Sequence, residues 1–244
     1  MTGTEISKEA ADVVLLDDNF HTIVQAIEGG RLIYANITKF IVYLLACNSA
    51  EIWTVLFAVI FNVPIPFSAI NILWANIIAD VPPSMSLGCE PPEVDLLKRK
   101  PRRRNDPVLS VRKWILLICE GFLLSAITLS VYIFHYLQKT SDLDILPLRS
   151  ESFFVLTSLQ LCLAFLSRST CASVFRIGIC GNRYLVGAVI LSFTLLVTGH
   201  YLPGLNWLLE LRPITGRTWI ILGYSVIILV FVTEVLKAIL RYRK

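Results

Sequence analysis

Leu44-Leu45-Ala46-Cys47-Asn48-Ser49-Ala50-Glu51-Ile52-Trp53-Thr54-Val55-Leu56-Phe57 lies within residues 40–61, a run with one acid, no base and no proline. As a helix rising about 1.5 Å per residue, such a run matches a hydrocarbon core of about 30 Å. Asn48 and Glu51, three apart, share one face of that helix and put a polar spot at mid-depth. The segment therefore reads as a membrane span with a charge inside it.

Five more stretches follow on either criterion of length or apolarity: 67–87, 114–137, 150–167, 185–202 and 218–240. The fourth span is the shortest, strictly apolar only over 152–166, and the second carries Pro82-Pro83 near its end. Composition agrees. The 244 residues are 55% hydrophobic and 16% charged, against about 25% charge in soluble domains, and mean hydropathy is +0.68. Disordered, collagen-like and disulfide-rich secreted classes are excluded by the same figures. The six cysteines lie mostly in or beside apolar runs, so they read as free thiols. The first eight residues are polar and mixed in charge and do not read as a signal peptide.

Lys and Arg set the orientation. With the N-terminus cytosolic, eighteen of the 22 fall on the cytosolic side, eight of them between the second and third spans. Lys139, Arg149, Arg212 and Arg217 remain opposite. Both termini are then cytosolic, in an endomembrane or the plasma membrane. The basic run over 98–104 reads as a topology anchor and can also meet lipid headgroups. Its flanking spans exclude nucleic acid as a partner.

Residues 1–35 read as a soluble remnant. Ala11-Asp12-Val13-Val14-Leu15-Leu16 has the pattern of a buried strand. Asp17-Asp18-Asn19 offers capping oxygens to a helix carrying Phe20, Ile23, Val24 and Ile27, which Gly29-Gly30 interrupts. From Arg31 a proline-free rod of about 45 Å runs to Asn62, long enough to link this remnant to the middle of the membrane. The expected fold is an all-α membrane helix bundle of six transmembrane helices with a short cytosolic strand–helix remnant. No internal repeat relates the two sets of three spans, which argues against a secondary transporter.

The second span repeats the polar spot, with Asn76 and Asp80 four apart. A charge at the bilayer centre costs about 2.5–3.5 kcal/mol on insertion scales, so two acids on consecutive spans point to something positive between them. Pro82 and Pro83 lack the N–H that would bond the carbonyls of Ile78 and Ala79, which frees two more oxygens beside Asp80. Gln160 adds an amide on the fourth span. Oxygen ligands on broken helices hold hard cations. The bland readings are protonated acids bonded between helices, a proline kink without a ligand role, and Gln160 as interhelical glue. Calcium takes about 6–8 oxygens, more than these five side chains readily supply.

Other polar residues rank lower. Glu120 snorkels or pairs with Arg112 or Lys113, and Glu234 pairs with Lys237 at i+3. His135 and His200 read as structural, and Cys47, Cys119 and Cys162 as packing thiols. Cys171 and Cys180 lack the companions of a zinc site.

Taken together, Gly3-Thr4-Glu5-Ile6-Ser7-Lys8-Glu9-Ala10-Ala11-Asp12-Val13-Val14-Leu15-Leu16-Asp17-Asp18-Asn19-Phe20, Glu28-Gly29-Gly30-Arg31, Asn48-x-x-Glu51, Leu73-Trp74-Ala75-Asn76-Ile77-Ile78-Ala79-Asp80 and Pro91-Pro92 resemble the P-type cation-transporting ATPases. The specific match covers roughly residues 1–115. The resemblance implies a calcium-pump-like, type II member, with residues 1–35 as the end of the phosphorylation domain and 36–244 as the last six of ten membrane helices. It implies Asn48, Glu51, Asn76 and Asp80 as ion ligands. Gln160 falls where calcium pumps of the sarcoplasmic-reticulum type place a Glu, and Ala79 where they place a Thr, which looks like a single-ion pump. Sodium/potassium pumps carry an Asp where this chain has Asn76, so calcium is the implied cargo, and fungal-type sodium pumps, which lack the Asn-x-x-x-Asp pair, match less well.

The chain contains no Asp-Lys-Thr-Gly-Thr, Thr-Gly-Glu-Ser or Gly-Asp-Gly-x-Asn-Asp motif. By the resemblance, ATP and Mg2+ would act only through the missing N-terminal pump domains, and this chain alone would not hydrolyse ATP. Met1 stands about where the family reads Val-Ala-Met-Gly, as in a chain begun at an internal methionine. The alternative is a non-enzymatic six-span protein, either an ion conductor or a truncated modulator of full-length pumps.

Overall fold

The computed structural model describes residues 4–15, 17, 19–92, 97, 101, 106–138, 144–169 and 172–242, with side chains up to 240. Most of the basic run, with Leu16, Asp18, Lys139 and Cys171, lies outside the described residues. The elements in chain order are α1 (Glu5–Glu9), α2 (Phe20–Ile60), α3 (Ala69–Ala75), a π-turn (Asn76–Asp80), α4 (Val81–Leu87), α5 (Val111–Gln138) and α6 (Leu146–Leu166). Then come α7 (Val174–Ile177), a 3₁₀ turn (Ile179–Gly181), α8 (Arg183–Tyr201), α9 (Leu205–Leu208) and α10 (Gly216–Tyr242).

The expected strand over residues 11–16 does not form: there is none among the described residues. Val13 and Val14 are exposed. A β-branched run with no second strand to complete its ladder leaves its backbone to water instead. The expected cap does form. The Asn19 side chain accepts from the His21 N–H at 3.0 Å and starts α2. Asp17 accepts from the Thr22 hydroxyl and the Asn19 N–H, and those bonds hold its carboxyl below the usual range.

The predicted break at Gly29-Gly30 is also absent, since α2 is continuous over 41 residues, a length of roughly 60 Å. Glycine in a helix interior costs about 1 kcal/mol against alanine, a penalty that a helix of this length absorbs. The rod ends at Ile60, where Asn62 turns the chain at a φ of 54°, a conformation Asn tolerates better than most residues.

In the stretch 67–87 Pro82-Pro83 does not end the helix. The ladder widens into the π-turn over Asn76–Asp80, and α4 resumes with the prolines in its first turn. An i→i+5 turn absorbs the extra residue, and proline is tolerated in a first turn because its N–H would be unpaired there anyway. α2 and α4 run antiparallel, with Asn36 meeting Gly88 and Glu90 and Tyr43 meeting Ala79.

Among the described residues, four helices are long and apolar enough to cross a membrane: α2, α5, α8 and α10. α6 is different in kind. Phe153, Phe154, Val155, Leu156, Leu159 and Leu163 are buried around its whole circumference, and so are Ser150, Ser152, Thr157, Ser158 and Gln160. It is the centre of the bundle, packed on α5, α8 and α10. A helix shielded from lipid by its neighbours can carry hydroxyls and amides, which is why its apolar run is short.

α2 and α5 form the most extensive helix contact. They approach so closely at Gly121 that a Cβ there would stand 1.9 Å from the Ser49 hydroxyl and 3.1 Å from the Ala46 carbonyl. Small residues permit such backbone approach in membrane bundles. Gly121→Leu is expected to force the helices apart and destabilise the bundle by about 1–3 kcal/mol, read as a lowered thermal midpoint in detergent. Gly187→Leu, on α8 with nothing within 4 Å, is the comparison expected to stay near the parent value.

Candidate functional site

Glu51 and Gln160 come together. The Gln160 amide donates from Nε2 to Glu51 Oε1 at 3.1 Å, joining α2 to α6 across the bundle. Gln160 is 0% exposed and Glu51 6%. Asp80, 2% exposed, closes the π-turn close enough to Glu51 to feel its charge. Neither Asp80 carboxylate oxygen has a hydrogen-bond partner, and Gln160 Oε1 has none either. Apart from the Cys47 thiol beside Asp80, a weak donor, three buried acceptor atoms are thus left open in one region, together with a second carboxylate.

That pattern is unusual because a buried polar group without a partner forfeits about 1–3 kcal/mol or more. Two carboxylates held close in a low-dielectric interior also repel each other unless positive charge enters between them. The arrangement can accept a cation or protons. Among the described residues no three His, Cys, Asp or Glu side chains gather into a metal cluster, so any cation here would be held by acids and amides in combination.

The other two predicted residues stand less centrally. Asn48 is half-buried and donates its amide N–H to the Leu44 carbonyl of its own helix at 2.9 Å. Asn76 is half-buried at the start of the π-turn. Neither hydrogen-bonds Glu51, Asp80 or Gln160.

The freed carbonyls also resolve differently from expectation at Ala79. Its oxygen accepts from the Tyr43 hydroxyl at 3.0 Å, deep in the core. The oxygen released by Pro83 is therefore satisfied by protein. Tyr43 and Cys47 are the residues that sequence reasoning missed. Both are 0% exposed, and the Cys47 thiol lies beside Asp80. With Glu51 they stand at i, i+4 and i+8, one stripe of a helix. That spacing was visible, but a Tyr and a Cys in an apolar run read as packing until the partner helix is in place. Thr157 is a third omission: buried with an unpartnered hydroxyl, one turn from Gln160 on α6.

Glu120 neither snorkels nor pairs with Arg112 or Lys113. It is 1% exposed with both oxygens unpartnered, and Lys237 of α10 is the cation that acts on it. Lys237 does pair with Glu234 as expected, at 3.3 Å, and also donates to the Leu166 carbonyl. His135 meets Glu151 at 2.6 Å, and His200 lies between the Leu196 and Ser150 carbonyls. Cys47, Cys119, Cys162 and Cys180 are free thiols, as is Cys89.

Apolar helices of spanning length around a buried cluster of acids and amides define an integral membrane protein. The chain belongs to the family described as cation transporting ATPase, C-terminus, whose model matches residues 64–239. It is 40% identical over 228 residues to the calcium-transporting ATPase of Bacillus subtilis (strain 168), covering 93% of this chain and 25% of that protein. It is 34% identical over 244 residues to calcium-transporting ATPase type 2C member 1 of Homo sapiens, covering 100% of this chain and 26% of that protein. The chain spans about a quarter of the length of these relatives.

Replacing Tyr43 by Phe is expected to leave the Ala79 carbonyl unpartnered beside the π-turn. The expected cost is about 1–3 kcal/mol, read as a lower thermal midpoint in detergent micelles without loss of helical circular dichroism.

Proposed function

We propose that this chain is the membrane half of an ATP-driven calcium transporter, with Glu51, Asp80 and Gln160 at the centre of its ion site and Asn48 and Asn76 at its margin. The observation that carries the reading is the set of buried, unpartnered oxygens on Asp80 and Gln160 beside the Glu51 carboxylate. Oxygen atoms kept without donors in a water-poor interior are suited to a hard cation, which prefers oxygen ligands. The relatives carry calcium transport in their names, which favours Ca2+ as cargo.

In this reading the bundle has six spans: α2, the α3–π–α4 ladder, α5, α6, α8 and α10. Both termini face the cytosol, and residues 1–35 belong to the end of a phosphorylation domain. Catalytic domains elsewhere in the pump bind ATP and Mg2+ and drive α2. Movement of α2 carries Glu51 against Asp80 and Gln160, which changes the spacing of the oxygens and lowers affinity for the cation. Protons then take its place on the two carboxylates, since an emptied pair of acids still needs positive charge.

The test is the calcium dependence of ATP hydrolysis in the full-length pump that carries this segment. Asp80→Asn and Glu51→Gln keep shape and remove charge, and each is expected to raise the half-activating calcium concentration at least tenfold. Activation within twofold of the parent in both variants would exclude the site. Gln160→Glu, which adds a carboxylate, is expected to change the number of calcium ions bound per pump in equilibrium binding.

A further inference from the structure

Around Glu90, at the end of the bundle where α2 begins, a second buried polar cluster ties together segments far apart in sequence. Arg168, just past the end of α6, donates from Nε to Glu90 Oε1 at 2.8 Å and sets Nη2 2.7 Å from the same oxygen. Its Nη1 donates to the carbonyls of Gly178 and Ile179. Asn182, the cap of α8, donates to Glu90 Oε2 at 2.8 Å and to the Ser86 carbonyl at 2.9 Å. A Cβ at Gly181 would stand 2.7 Å from the guanidinium, so the loop is closed tightly over it. From the other side Asn36 of α2 donates its amide to the Gly88 and Glu90 carbonyls at 3.2 and 2.8 Å. Asn36, Glu90, Arg168 and Asn182 are all buried.

The two halves of this cluster differ in strength. Glu90 is held to the α6–α8 side by charge-assisted bonds, which are roughly twice as strong as neutral ones. Among the described residues, the bond it makes to α2 is to the neutral amide of Asn36. The end of α4 is therefore a fixed point on the α6–α8 scaffold, and α2 is the element that grips it. Such a grip matters in lipid because helices there gain no hydrophobic energy from one register over another, so polar contacts and close packing must choose it. Asn36 lies fifteen residues before Glu51 on the unbroken α2, and Glu90 ten after Asp80, three past the end of α4. A slip at Asn36 would be carried along the rod to Glu51.

We propose that Asn36 is a positioning residue: by holding the carbonyls of Gly88 and of Glu90, whose carboxylate Arg168 and Asn182 anchor, it sets the axial register of α2 on the end of α4 and so the placement of Glu51 against Asp80. The proposal rests on the reading of Glu51 and Asp80 as an ion site, and its test separates the two.

In the full-length pump, Asn36→Ala is expected to raise the half-activating calcium concentration about fivefold or more, the range of ordinary coupling between sites, with the maximal rate kept. Asn36→Gln retains the donor one bond further out and is expected to restore part of that shift. Ser130→Ala alters only an exposed hydroxyl on the Ala126 carbonyl of its own helix and is expected to leave the calcium midpoint unchanged. A lowered thermal midpoint or maximal rate in Asn36→Ala with calcium dependence within twofold of the parent would overturn the proposal, because that is the signature of a merely structural bond. Should Asn36→Ala fail to accumulate, Asn36→Leu, which keeps the volume and removes the donor, carries the test, and a calcium midpoint within twofold of the parent overturns the proposal. Asp80→Asn run in parallel identifies which idea fails. If it abolishes calcium activation while Asn36→Ala does not shift it, only the register proposal falls. If Asp80→Asn has no effect, the ion site falls and the register proposal with it.

Discussion

A carboxylate enclosed by protein and hydrocarbon has to find positive charge or donors inside the bundle, and Asp80 finds no hydrogen bond among the described residues. The surrounding structure keeps it that way. The prolines at 82 and 83 divert the helix into a π-turn that ends on Asp80, and π-turns of this kind recur at functional sites. Tyr43 takes up the neighbouring Ala79 carbonyl, so the backbone is satisfied while the acid is not. Gln160 spends its donor on Glu51 and keeps its acceptor open. Local bonds are made around these residues while the Asp80 oxygens and Gln160 Oε1 keep no hydrogen-bond partner.

The central position of α6 follows from the same constraint. A helix that meets lipid must be apolar on its outer face, as α10 is with Ile220, Ile227 and Phe231 exposed. A helix enclosed by others is free of that demand and can bring Gln160 and Thr157 into the interior. Low hydropathy in one helix of a bundle is thus a sign of depth.

Much of the bundle was legible from the residues. Runs such as 114–137 and 218–240 announce themselves because the bilayer imposes length and apolarity on every exposed span, and α5 and α10 form there. The cap at Asn19 and the Glu234–Lys237 pair were legible because they are local, governed by spacing along one helix. The misreadings have a common origin. Val13-Val14 has strand propensity but meets no strand among the described residues, and Gly29-Gly30 has the composition of a break although neighbouring residues carry the helix through. For Glu120 the sequence offers snorkelling or its nearest bases, Arg112 and Lys113, whereas the base whose charge reaches it, Lys237, lies more than a hundred residues on.

For the site, the sequence alone determined which atoms were available: acids and amides on consecutive spans, at spacings that put each pair on one helix face, next to prolines that disturb a backbone. Helix periodicity is a property of a single segment, so this much needs no fold. Only the tertiary structure decided which of those atoms meet and which stay open. It brought Gln160 to Glu51 from 109 residues away, set Tyr43 on the Ala79 carbonyl, and left the Asp80 oxygens without donors. Those outcomes depend on how helices cross and in what register, and in a bilayer that register is chosen by a few polar contacts and close-packed glycines rather than by any pattern along the chain.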